Sequence, residues 1–312
     1  MDRPPVALWR HFPIDDQSPE TLAAATVHFQ ELYDFDLVKV TPASSFCLTD
    51  WGVEDRWSGN SEGTREYTKR VIHAPSDWQK LTLLNPKKGQ LAQQIRCLKR
   101  LRNEFGVDTP IIQTVFNPLA QAKNLAGGEL MLTHLKQYPD EIVYGLQTIT
   151  ESTRRFVEAT IEAGVDGIYY AIQHAQSRLL SIEEYKTFGI RNDLIVLESA
   201  RDFWCNMIHL HGDAIYFSIL KEFSVSIVNW HDQETKPSLA EARNTFDGTL
   251  CGGMNIDTLV NGTPDQVFAE ARQANEQTGN RKFILGTGCV VPINAPPENI
   301  LAARQAYETA DH

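Results

Sequence analysis

The stretch Ala163-Gly-Val-Asp-Gly-Ile-Tyr-Tyr-Ala-Ile-Gln173 decides the fold. Upstream, Tyr138–Ala163 reads as one long helical pattern, and Gly164 is the residue type that closes a helix in left-handed backbone. An apolar run then starts at Gly167 without polar alternation. A helix stopped by glycine and followed directly by such a run suits a parallel sheet covered by helices. The unit recurs along the chain. Similar runs stand at Val6–Phe12, Asp36–Pro42, Pro110–Phe116, Gly167–Gln173, Met207–Gly212, Val225–His231, Thr249–Asn255 and Phe283–Cys289.

Helical signals fall between these runs. Ser18-Pro-Glu-Thr21 places Ser at an N-cap and Pro at the first helical position, opening a helix to about Tyr33. Gly89–Phe105 carries Leu91, Ile95, Leu98 and Leu101 on one face and stops at Gly106. Ser181-Ile-Glu-Glu184 and Thr263-Pro-Asp-Gln266 have capping-box spacing, and Pro296-Pro-Glu-Asn opens a last helix. Eight strands, each followed by a helix, predict an α/β fold: a single (β/α)8 TIM barrel. A doubly wound open sheet is the competing architecture, but no Gly-x-Gly-x-x-Gly follows the first run. Residues 43–88 read as an irregular excursion after the second strand that covers the barrel mouth. With no linker, repeat or low-complexity tract, residues 1–312 are read as one domain.

Composition narrows the partners. Of 312 residues, 42% are hydrophobic and 22% charged, as in globular domains. A net charge of −11 without a basic stripe argues against nucleic acid and anionic membranes. No apolar stretch approaches the ~20 residues that span a bilayer. The start, Met-Asp-Arg-Pro-Pro-Val, lacks the shape of a signal peptide. The five cysteines lack framework spacing, so reduced thiols of a cytoplasmic protein are expected.

Chemistry collects at the carboxyl ends of the runs, where this fold places its active sites. His11, His174, His209, His211 and His231, five of the nine histidines, lie there. In Met207-Ile-His-Leu-His-Gly212 the two imidazoles are two apart and so share one side of a strand. If the strands close into one barrel, Cys289 of Phe283-Ile-Leu-Gly-Thr-Gly-Cys289 joins them. His209, His211 and Cys289 then form a three-ligand zinc site with an open fourth position, the pattern of a catalytic site. His231 and Asp232 are the candidates for proton handling. Arg10, His11, Lys39, Tyr170, Gln173 and Asn229 are the candidate substrate-binding residues, with Arg10 and Lys39 suited to an anionic group. Each has a structural reading as well: Asp232 as a helix cap, Lys39 as an outward-reaching side chain, Tyr170 as core.

At these residues the chain resembles the uroporphyrinogen decarboxylase superfamily, over nearly its whole length. The resemblance rests on Leu8-Trp-Arg-His-Phe12, Tyr33-Asp-Phe-Asp-Leu-Val-Lys39, Ala163-Gly-Val-Asp-Gly-Ile-Tyr-Tyr170, His209-Leu-His-Gly212, Gly252-Gly253 and Gly286-Thr-Gly-Cys289 with Pro292 and Pro296-Pro-Glu-Asn-Ile300. It implies a (β/α)8 barrel and two possible chemistries. The decarboxylase branch uses no metal. Its N-terminal Arg-Gln-Ala-Gly-Arg is replaced here by Arg10-His-Phe-Pro, its Asp after the second strand by Thr41-Pro-Ala-Ser-Ser45, and its last-strand His falls near Thr287. The cobalamin-linked methyltransferase branch carries His-x-Cys on the fifth strand and a Cys after Gly on the last. His209 and Cys289 match, and His211 stands where that branch has Cys.

The expected function is therefore zinc-dependent methyl transfer to or from a thiol-type substrate. Methylcobalamin or a separate corrinoid protein would be the methyl partner, and a homodimer is possible on the resemblance. The alternative is a metal-free decarboxylase of uroporphyrinogen or a related carboxylate. Metal-assisted hydrolysis ranks below both, because His-x-His in hydrolase barrels belongs on the first strand.

Overall fold

The computed structural model describes residues 3–308. Seven parallel strands form one sheet. In chain order the strands of the molecule are β1 (Val38–Val40), β2 (Glu54–Arg56), β3 (Glu66–Lys69), β4 (Ile111–Phe116), β5 (Gly167–Ile172), β6 (Met207–Leu210), β7 (Ile227–Trp230), β8 (Thr249–Met254) and β9 (Phe283–Thr287). The main sheet runs β1-β4-β5-β6-β7-β8-β9, and β2 and β3 pair antiparallel by themselves. The helices are α1 (Pro19–Tyr33), α2 (Gly89–Phe105), α3 (Pro118–Ala126), α4 (Gly128–Gln137), α5 (Pro139–Glu162), α6 (Ile182–Tyr185), α7 (Arg191–Ser199), α8 (Leu239–Arg243), α9 (Ile256–Asn261), α10 (Pro264–Gln277) and α11 (Pro297–Gln305).

The first expected strand, Val6–Phe12, is corrected. Only Val6 bridges the sheet, in parallel with Leu285. Pro4 and Pro5 have no N–H to give a ladder. The segment is held by Ala7 N–H to Leu285 O, Leu285 N–H to Pro5 O and Asp36 N–H to Val6 O. It thus touches the approach to β1 and Leu285 within β9, the two edge strands of the curled sheet. Residues 8–12 leave the sheet, and Trp9 O instead accepts from Val291 N–H.

The helices form where caps and apolar faces coincide. Ser18, Asn117, Ser181, Ser238 and Thr263 each accept a hydrogen bond from a backbone N–H in the first turn of their helix, a contribution of ~1 kcal/mol apiece. α5 buries Ile142, Leu146, Ile149, Thr153, Phe156 and Val157, one face at helical spacing. It ends at Gly164, whose φ of 84° is the left-handed conformation anticipated for it. Between β1 and α2 lie two short 3-10 helices and the β2–β3 hairpin. No helix among the described residues is long and apolar enough to cross a membrane.

Candidate metal centre

Strand register determines what faces inward. In the parallel ladder Ala171 pairs with His209, His209 with Asn229, and Asn229 with Cys251. Residues in one row of a pleated sheet share a face. His209 therefore sits over Asn229, and His211 follows β6 on the same side. β7 ends one residue before His231, and β9 ends two residues before Cys289. Gly288 lets those ends meet: a Cβ there would lie 2.7 Å from the Cα of His231 and 3.0 Å from Trp230 O. Any larger residue would push Cys289 away from β7.

The result is a four-membered cluster. One ligand atom each from His209, His211, His231 and Cys289 lie within 4.8 Å of one another. His211 Nδ1 is 3.4 Å from His209 Nε2 and 3.3 Å from His231 Nε2. The outer nitrogens are already committed. Asn229 Oδ1 lies 2.7 Å from His209 Nδ1. The Asn229 amide donates to the Cys251 and Thr287 carbonyls, at 3.0 and 2.9 Å, which can only accept. That fixes the amide orientation, so its oxygen accepts and His209 Nδ1 carries the proton. Glu234 Oε2 stands 3.1 Å from His231 Nδ1 and fixes the second tautomer in the same way.

His209 and His231 therefore both present Nε2 lone pairs to His211 Nδ1, which holds at most one proton to share between them. Burial keeps two of these imidazoles neutral, drawing His211 down to about 3 and His209 well below its ordinary range. With at most one proton among three converging nitrogens, at least one pair of lone pairs is left facing, and a cation relieves that repulsion. The residues present fit a zinc-type ion in three respects: neutral imidazoles, a cysteine thiol, and outer-nitrogen partners of the kind that orient metal-bound histidine. Burial pushes the Cys289 thiol up to about 11, against the pull of Lys39.

A chamber of about 460 Å³ opens over the cluster, with His209, His211 and Cys289 in its wall. The Lys39 ammonium lies 4.4 Å above the ring of Tyr169, and that ring stacks on His209 at 5.2 Å and 22°. Burial draws Lys39 down to about 7. Arg70 and Lys123 also line the chamber. Arg70 donates to the Lys123 and Asn124 carbonyls, and Lys123 donates to Gln173 Oε1 at 3.0 Å. Arg65 is spent on Asp55 and Asp16. Among the described residues, no carboxylate pairs with Lys39, Arg70 or Lys123.

The other residues singled out from sequence fall in different places. His11 and Gln173 line the chamber, and His11 Nδ1 is buried without a partner. Asn229 lies beneath it as the support of His209. Tyr170 points to the opposite face of the sheet, where its hydroxyl donates to Asp193; Tyr169 is the tyrosine in the chamber wall. Arg10 packs over Phe12 and Phe29, outside the chamber wall. The Asp232 carboxylate turns to the β8 backbone and accepts from Gly253 N–H, and burial raises it to about 6. Arg70, Lys123 and Tyr169 were missed. Period-two alternation was the available signal for Tyr169, since it shares a face with Gln173 and Tyr170 does not.

Comparison with known proteins agrees with this architecture. Methylated-thiol--coenzyme M methyltransferase of Methanosarcina mazei is 26% identical over 226 residues, 71% of this chain and 59% of that protein, so the match spans less than two thirds of that relative. Methylcobamide:CoM methyltransferase of Methanosarcina barkeri is 24% identical over 301 residues, covering 93% and 85% of the two chains. A solved methyltransferase from Methanosarcina mazei superposes with a TM-score of 0.85 at 19% identity, covering 98% of this chain and 94% of that one. A B12-independent methionine synthase from Shewanella sp. W3-18-1 shares the fold at a TM-score of 0.63 and 14% identity, covering 96% and 92%. The family model for uroporphyrinogen decarboxylase (URO-D) matches residues 10–309. The chain belongs to the uroporphyrinogen decarboxylase family.

Proposed function

We propose that this protein is an enzyme of methyl transfer to or from a thiol, with zinc at the His209, His211 and Cys289 cluster and a corrinoid as methyl partner. One observation carries the reading: imidazole lone pairs converge beside a cysteine in the wall of a chamber of about 460 Å³. Bound there, zinc would supply Lewis acidity that lowers the pKa of a thiol and keeps it nucleophilic.

The chain's own residues do the rest. Asn229 holds the His209 ring in one tautomer and one orientation. Tyr169, between Lys39 and His209, keeps water off the inner side of the cluster. Arg70 and Lys123 in the chamber wall give an anionic tail its place, with Lys39 as a third cation. A substrate with a sulfur at one end and an acidic group at the other fits this lining. The names of the relatives support a methylcobamide as the other substrate, and either methylcobalamin or a corrinoid protein would approach from the chamber mouth. The test is elemental mass spectrometry of protein purified without added metal, wild type against Cys289→Ser. Near-stoichiometric zinc that falls sharply in the variant is expected, together with thiol-dependent loss of the methylcobalamin absorption spectrum. Protein that neither carries nor takes up zinc would sink this reading and turn attention to a metal-free decarboxylase.

A further inference from the structure

The chamber wall carries more positive charge than one acidic group can match. Lys39, Arg70 and Lys123 all line it. Among the described residues, the one carboxylate in that lining is Glu62, which is exposed and pairs with none of them. A divalent ion held with the Cys289 thiolate and a substrate thiolate is neutral overall, so the metal site supplies no counter-charge.

The three cations fall into two groups by their surroundings. Arg70 and Lys123 belong together. Arg70 donates to the Lys123 carbonyl and lies over the Tyr67 ring at 4.8 Å, and Lys123 donates to Gln173 Oε1 at 3.0 Å. Lys39 is held by other residues. Its ammonium lies 4.4 Å from the Tyr169 ring and 5.4 Å from the Trp9 ring. Thr41 Oγ1, at 3.3 Å, is its one hydrogen-bond partner among the described residues, and Lys39 is only 7% exposed. Buried charges are normally paired, and ring faces replace only part of a missing counter-ion. One ring, that of Tyr169, separates Lys39 from His209. An anion at Lys39 would therefore lie close to the sulfur. His11 also lines the chamber, and burial, with Lys39 nearby, draws it down to about 3. It brings hydrogen-bonding nitrogen to this corner without further charge.

We propose that the thiol substrate carries two acidic groups, one near the sulfur that Lys39 takes and one farther along that Arg70 and Lys123 take. A mercapto-dicarboxylate on a short carbon chain is the simplest member of that class. The proposal rests on the reading above that a thiol binds at the cluster.

Isothermal titration calorimetry on zinc-loaded wild type, Lys39→Met and Lys123→Met tests this. The probes are mercaptosuccinate, its longer homologue 2-mercaptoglutarate, the mono-acid 3-mercaptopropionate and sulfur-free succinate. Both substitutions keep an unbranched side chain and remove the charge. Circular dichroism checks folding, and Lys39→Gln stands in if Lys39→Met does not fold. Wild type is expected to bind at least one mercapto-diacid about 10- to 100-fold more tightly than 3-mercaptopropionate, through a second hydrogen bond to a charged group. Lys39→Met is expected to erase that gap. Lys123→Met is expected to weaken the mono-acid and the diacids alike. No gap in wild type with either diacid, or a gap that survives in Lys39→Met, would overturn the two-acid substrate. Succinate that binds as tightly as mercaptosuccinate, with the dependence on Lys39 intact, would instead overturn the thiol reading beneath and leave the two acid sites standing.

Discussion

Tyr169 and Tyr170 are neighbours on one strand, yet their hydroxyls enter two polar networks of opposite character. Tyr170 joins Tyr185 and Asn117 in donating to Asp193 on the outer face of the sheet. Three donors meet one carboxylate there, and the group is closed. Tyr169 donates to Asn229 on the inner face, under the imidazoles. That network ends in three ring nitrogens and a thiol, with at most one ring proton to share among the nitrogens. Both regions are buried. The outer one is satisfied by the chain itself, which marks it as structural, and the inner one leaves nitrogen lone pairs facing one another.

The comparison breaks most visibly if the outer network is cut. Asp193→Ala leaves two tyrosine hydroxyls and an amide without their acceptor, and a loss of roughly 3 kcal/mol or more is expected at ~1–3 kcal/mol per buried group. Thermal unfolding should show it as a drop of several degrees, with zinc stoichiometry unchanged in protein that remains folded. His211→Ala should do the reverse. Competition with a chromogenic chelator should show zinc held at least about 100-fold more weakly, with little change in the metal-free melting temperature. A smaller effect, about 10- to 100-fold on zinc affinity, is expected for Asn229→Ala, which frees the His209 ring without removing a ligand. If Asn229→Ala binds zinc like wild type, the inner network is not a support for the metal.

A pH series sharpens the contrast further. Burial holds the Asp193 carboxyl up at about 6, above an unfolded value near ~3.9. Between these values the folded chain binds more protons than the unfolded one. Its contribution to stability therefore falls as pH rises from ~4 to about 6 and is level above that. Denaturant midpoints across this window should show the slope in wild type and not in Asp193→Asn. The smallest effect is expected from Tyr169→Phe, which removes one of the two donors to Asn229 Oδ1 and keeps the ring between Lys39 and His209. A loss of ~1 kcal/mol in stability should register in urea unfolding.

Much of the architecture could be read from residues whose local physics was decisive. Gly164, Ser18, Ser181 and Thr263 mark helix ends by their backbone or side-chain chemistry, and the elements begin and end near them. The two-residue spacing of His209 and His211 puts them on one strand face, and the fold brings Cys289 beside them. What sequence could not supply was register between strands. Tyr170 was chosen beside Gln173 although three residues on a strand put them on opposite faces. Arg10 looked like a carboxylate binder because nothing in the chain indicates that Phe12 and Phe29 flank its guanidinium. Val6–Phe12 had the composition of a strand, but two prolines ahead of it and an early departure leave a single bridge. Arg70 and Lys123 reach the chamber from the excursion after β1 and from α3, and no periodicity announces them.

Gly288 has a consequence for the mechanics of the whole sheet. By letting the end of β9 meet the end of β7, it gathers the ends of β6, β7 and β9 around one cluster of donors. An ion at that point is a rivet through the rim of the sheet. Its binding free energy then adds to the stability of the fold, growing as RT ln(1 + [L]/Kd). Protein stripped of metal should be the first to yield to a protease, and the cuts should fall in the turns that carry His231 and Cys289.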